Sequence, residues 1–179
     1  VMILMNGQLF SSRYALKTAA FGTDAFSGGI HGAMGRVSDD GAEYFSIPEK
    51  YHTTGCEFDL TGIDALPAVE ILYFYAGTNK RMLTMLLDEI RPPGIILALT
   101  GAGTLPKELA VLMENSSYDG IIVRSSRVPD GAVGAACERL PENMIQAKDL
   151  SPQKARILLM LGLSITKDAG ELQRMIDMY

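Results

Sequence analysis

From Val69 onward, short apolar runs alternate with stretches that are apolar on one side only. "VEILYFYAG", "GIILALTG" and "GIIVRSS" are β-rich runs that end in small residues, and they read as strands buried on both faces, as in parallel sheets. Between them, "TNKRMLTMLLDEI" puts Met82, Leu83, Leu86 and Leu87 on one helical face, and "LPKELAVLMENSSYDG" does the same with Leu105, Leu109, Leu112 and Met113. Strands alternating with helices in this way predict βαβ units and an α/β domain with a parallel sheet. Two helices close the chain. Ser151 before Pro152 is an N-cap with proline at the first helical position, and Asp168 with Glu171 has the spacing of a capping box. Apolar periodicity predicts that these two helices meet the sheet through Ile157, Leu158, Leu161, Leu172 and Ile176.

The first 68 residues follow no such rhythm. "VMILM" before Asn6-Gly7 reads as a buried strand and a turn, whereas 27–67 is rich in glycine, proline and polar residues with scattered aromatics. The expected organisation is therefore 1–37 as the end of a preceding α/β domain, 38–68 as a connector and 69–179 as a carboxyl-terminal α/β domain. Val1 begins inside an apolar run with no signal peptide ahead of it, so an upstream segment is expected.

Composition narrows the function classes. The 179 residues, nearly half of them apolar, suffice for a real core. A net charge of −5 without a basic stripe argues against a nucleic-acid partner. The longest apolar runs fall far short of the roughly 20 residues of a membrane span. Cys56 and Cys137 lack the spacing of a metal knuckle, and His31 and His52 stand far apart, so no metal site is expected.

In an open parallel sheet, ligands gather beyond the carboxyl ends of the strands. The loops that qualify are 77–79, 100–104 and 125–138. The last is long and irregular, with hydroxyls, Arg127, Asp130 and Glu138; Arg127 and Asp130 could equally pair or cap in a solvated loop. "TGAGT" at 100–104 suits an anion before a helix, but it lacks the third glycine of a dinucleotide fingerprint and the Gly-Lys-Ser/Thr of a P-loop. A tight strand-to-helix turn accounts for its glycines.

"GIIVRSSRVPDGAV" followed by "LSPQKARILLMLGLSITKDAGELQRMIDMY" resembles the carboxyl end of bacterial type II L-asparaginases and glutaminase-asparaginases. Upstream, "VMILMNG", "ALKT", "GAMGRV", "HTTGCEFD", "LPAVEILYFYAG" and "GTLP" agree in order and spacing, so the resemblance spans essentially the whole chain. It implies that the chain is roughly the second half of an amidohydrolase that converts L-asparagine to L-aspartate and ammonia without metal or organic cofactor, with glutamine as the family's further substrate. The family's threonine nucleophile lies in a "TGGTI" segment and its assisting Thr-Asp pair in "HGTDT". Neither has a counterpart here by position, so the chain alone is expected to be inactive. "FGTDA" and "LTGAGTL" imitate these segments in reversed order, which makes Thr23 and Asp24 decoys.

The same resemblance implies roles for individual residues. Lys17 stands in the family's Lys-Thr segment and would handle protons beside the Thr-Asp pair; a lysine partly withdrawn from water gives up its proton more readily. Glu138 corresponds to the acid that one subunit lends to its neighbour's site to meet the substrate ammonium, a charge-assisted contact. Thr104 stands where the family usually has Asn or Ser, and it supplies a hydroxyl in place of the amide. The stretch after "VPDGAV" departs from the family's "TTQDAEVDD" type of sequence. A homotetramer built as a dimer of dimers is implied, and the type II branch implies the periplasm or secretion, with the cytoplasm left open. Two alternatives remain: the amidase subunit of a tRNA-dependent transamidation system, for which no basic surface is present, and a non-catalytic oligomerisation module.

Overall fold

The computed structural model describes residues 1–134 and 140–179. The chain divides into two compact units, Val1–Cys56 with Tyr179, and Glu57–Met178.

In the first unit, β1 (Met2–Met5) and β2 (Gln8–Ser11) form an antiparallel hairpin. Its turn is Asn6-Gly7, with φ of 50° and 70°, the positive pair demanded by a two-residue type I′ turn that matches strand twist. A second hairpin, β3 (Leu16–Lys17) with β4 (Phe26–Ser27), stands apart. β5 (Gly35–Ser38) and β6 (Gly41–Tyr44) extend the first sheet in the order β1-β2-β5-β6. Hydrophobic patterning does not reveal these last two, because every residue of β6 is exposed; backbone pairing rather than burial makes it a strand.

In the second unit, β7 (Val69–Tyr73), β8 (Gly94–Leu99), β9 (Ile121–Ser126) and β10 (Met144–Gln146) form a fully parallel sheet in the order β10-β9-β8-β7. The predicted α/β class with a parallel sheet is what the chain adopts. β10 was not legible in the sequence: three residues after a long loop carry too short a pattern. α1 (Lys80–Thr84) continues into π-helical turns at Met85–Ile90 and stops at Arg91, which is left-handed at φ 46°. With α2 (Lys107–Glu114) it covers one face of the sheet. There Leu72, Leu83, Leu87, Ile95, Leu97 and Leu109 belong to one buried cluster. Met82 does not join this face as predicted; it is 50% exposed, because the buried stripe runs through Leu83, Leu86 and Leu87.

The other face is covered by α3 (Pro152–Leu163), which contacts β7, β8 and β9, while α4 (Ala169–Met178) packs on α3 and β10. Both predicted caps are in place: Ser151 Oγ accepts from Lys154 N at 3.4 Å, and Asp168 Oδ1 accepts from Glu171 N at 2.8 Å. Leu172 and Ile176 are buried as expected, but the predicted face of α3 is wrong. Ile157 is exposed and Leu158 and Leu161 are half-buried, while Pro152, Ala155, Leu159, Gly162 and Leu163 face inward. The run "RILLMLGL" is apolar almost all round, so periodicity could not choose a stripe. The small residues Ala155 and Gly162 decide it by letting the helix approach closely. A Cβ at position 162 would lie 2.5 Å from Leu172 Cδ2.

Candidate functional site at the carboxyl edge of the parallel sheet

Because all strands of this sheet run the same way, the loops after β7, β8 and β9 emerge on one edge. After β7, the chain turns at Tyr75–Thr78. Thr78 N donates to Tyr75 O at 3.0 Å, and Thr78 Oγ1 accepts from Tyr75 N at 2.7 Å. Asn79 then caps α1 by accepting from Arg81 N through Oδ1 at 3.0 Å.

After β8, "TGAGT" closes on itself. Gly103 N and Thr104 N both donate to Thr100 O at 3.2 Å, and Thr100 and Thr104 form an isolated bridge. Gly103 has φ 75°, and a Cβ there would lie 2.8 Å from Val133 Cγ1. Glycine is thus required twice over, by backbone conformation and by space. The tight-turn reading of these glycines holds.

The loop after β9 is tied to this turn. Arg127 N donates to Leu99 O at 2.9 Å, Ser126 Oγ donates to Gly101 O at 2.5 Å, and Gly134 N donates to Ala102 O at 2.9 Å. Val133 N donates to Lys148 O at 2.9 Å, which fastens the same segment to the chain just after β10. Arg124 of β9 is 2% exposed and donates to Gly103 O from Nε at 3.2 Å and from Nη2 at 2.8 Å. No sequence motif assigns this arginine a role. The available signal was a single charge inside a run otherwise fit for full burial.

Between the loops after β7 and β8 lies a cavity of about 410 Å³, lined by residues that include Phe74, Tyr75, Gly77, Thr100, Thr104 and Glu108. Lys80 and Glu108, which also line it, form an ion pair with both side chains largely exposed; such a pair contributes little to stability. The cavity combines threonines with apolar walls, a combination that orients a small polar ligand.

The expected site residues fall in different places. Thr104 lines the cavity and is exposed. Lys17 belongs to the first unit, on β3 opposite Phe26 of β4; it is exposed, with Nζ 5.8 Å from the Phe26 ring centroid. Thr23 and Asp24 sit at the exposed end of the same hairpin. Glu138 lies outside the described residues. Among the described residues no group of His, Cys, Asp or Glu could hold a metal ion, and no helix is long and apolar enough to cross a membrane.

Residues 68–176 match the family model of the glutaminase/asparaginase C-terminal domain. The chain is 34% identical to the glutaminase-asparaginase of Pseudomonas fluorescens biotype A, in a match covering all of this chain and 50% of that one. It is 31% identical to L-asparaginase 2 of Escherichia coli K12, covering all of this chain and 52% of the relative. The crystal structure of a probable cytoplasmic L-asparaginase from Campylobacter jejuni superposes with a TM-score of 0.88 at 33% identity, over 99% of this chain and 55% of that one. The chain therefore spans about half the length of the relatives it matches. With a parallel α/β unit matched over 68–176 and similarity that runs from end to end, the chain belongs to the glutaminase/asparaginase family.

Proposed function

We propose that this chain supplies the second half of an L-asparaginase, an amidohydrolase that converts L-asparagine and water to L-aspartate and ammonia, with glutamine as a second substrate. The observation that carries this reading is the collinear similarity of the whole chain to enzymes named for that reaction. In such an enzyme a threonine hydroxyl adds to the amide carbonyl, ammonia leaves with the proton it gains, and water then cleaves the acyl intermediate. A hydroxyl needs a neighbouring base for the first step, and the developing oxyanion needs donors.

Within this reading Lys17 handles protons beside the Thr-Asp pair of the upstream segment. Its exposure on β3 leaves it open to be covered by that segment. Thr104 and Glu138 complete the site of a neighbouring subunit, Thr104 by its hydroxyl and Glu138 by meeting the substrate ammonium. The assembly is a homotetramer of two dimers. The position of Thr104 on the cavity supports its part. Export to the periplasm or beyond follows from likeness to the type II branch, although the Campylobacter relative is described as cytoplasmic; cell fractionation distinguishes the two.

The test is ammonia release from asparagine and from glutamine by the full-length enzyme and by its Lys17→Met variant. Wild-type turnover is expected, with kcat in the variant reduced far more than substrate binding is weakened. Absence of turnover in the wild type would refute the reading, and near-normal kcat in the variant would remove Lys17 from it.

A further inference from the structure

Arg124 stands in the middle of β9, opposite Leu97 of β8 and Gln146 of β10, and is almost wholly withdrawn from water. Burying a guanidinium is costly unless its donors are satisfied, and well-packed apolar side chains often serve stability equally well at such positions. Here the donors at Nε and Nη2 go to the loops of the carboxyl edge. Nε and Nη2 converge on Gly103 O at 3.2 and 2.8 Å, and Nη2 also reaches Gly134 O at 3.4 Å.

These two carbonyls belong to segments already linked by Gly134 N to Ala102 O and by Val133 seated against Gly103. A planar fork of fixed geometry sets the spacing of both segments from the strand. Thr104, the residue after Gly103, lines the cavity.

We propose that Arg124 is a positioning residue. Through the Gly103 and Gly134 carbonyls it holds the 100–104 turn so that Thr104 is presented to the ligand. The proposal rests on the functional reading above for its kinetic consequence, but not for its structural one.

The test compares Arg124→Met and Arg124→Lys with wild type in the full-length enzyme by thermal melting, kcat and KM for asparagine, and segment-resolved amide hydrogen exchange. In Arg124→Met we expect a cooperative melt, faster exchange confined to 100–104 and 131–134, and KM raised about ten-fold or more with a smaller change in kcat, the scale set by losing hydrogen bonds from a charged donor. Arg124→Lys, which keeps the charge but not the fork, should fall between the two. Unchanged KM in folded Arg124→Met, or exchange that accelerates uniformly across the parallel sheet, would overturn the proposal. If Arg124→Met fails to fold, Arg124→Lys decides, and wild-type KM with wild-type exchange would overturn it. If the wild type releases no ammonia, the functional reading fails alone, and exchange at 100–104 still decides whether Arg124 holds the turn.

Discussion

Tyr118 shows how one side chain ties a helix end to the sheet. It is 8% exposed, and its hydroxyl donates to Pro92 O at 2.5 Å. Arg91, across the ring, donates to Ser117 O at 3.0 Å and pairs with Asp119 at 2.8 Å. Burial holds the phenol well above its ordinary value of 10.0; the Asp119 charge adds to this and Arg91 opposes it. Because the folded state raises this pKa, its stabilising contribution is intact below the unfolded value near 10.0 and is lost as pH rises beyond it. Tyr118→Phe should cost about 1 kcal/mol near neutrality through the lost hydrogen bond. It should also lose less stability than wild type when urea unfolding is repeated above pH 10, a range set by the phenol's ordinary value. Equal alkaline losses in both proteins would contradict the assignment.

Among the elements, α3 was the hardest to read. Its start at Pro152 follows from the Ser-Pro cap, but its inward stripe depends on the neighbour it meets. Gly162 is where that neighbour comes closest, since a Cβ would lie 2.5 Å from Leu172 Cδ2 and 3.2 Å from Met175 Sδ, both on buried side chains. Gly162→Ala gains about 0.5–1 kcal/mol of helix propensity, whereas overpacking a core typically costs about 1–3 kcal/mol. The packing term should win, giving a net loss of about 1 kcal/mol in a urea titration. A gain in stability would show that α3 and α4 separate at little cost. By contrast, the strands β7, β8 and β9 were legible because burial on both faces leaves an unbroken apolar run that few other structures would need.

For the whole molecule, the proposed division of each active site between subunits is testable by mixing. Glu138→Gln should weaken substrate use by roughly 1.5–3 kcal/mol, the scale of a hydrogen bond to a charged group. Subunits carrying only Glu138→Gln, mixed with subunits carrying only Lys17→Met, should regenerate intact sites, since each supplies what the other lacks. Recovered ammonia release after demonstrated subunit exchange supports the shared site; no recovery would refute it. Among the candidate segments, the 100–104 loop could be located from sequence because a strand, a glycine turn and a helix follow one another locally, while Thr104 within it was singled out only by the family resemblance. Arg124 could not be assigned a role, because its partners at Gly103 and Gly134 come from loops on either side of its own strand.

What the sequence determined by itself was whatever depends on near neighbours along the chain. This includes the parallel α/β class, the Asn6-Gly7 turn, the Ser151 and Asp168 caps, the tight turn at 100–104 and, through collinear motifs, the family. Tertiary structure decided what depends on contacts between distant segments. It selected the inward face of α3, paired β5 with β6 where no residue of β6 is buried, added β10 to the sheet, and turned a charged residue within β9 into the link between two loops. The physical reason is the same in each case. Caps and turns are satisfied by bonds spanning a few residues, whereas a helix face, an edge strand or a buried guanidinium is satisfied only by partners that the fold brings together.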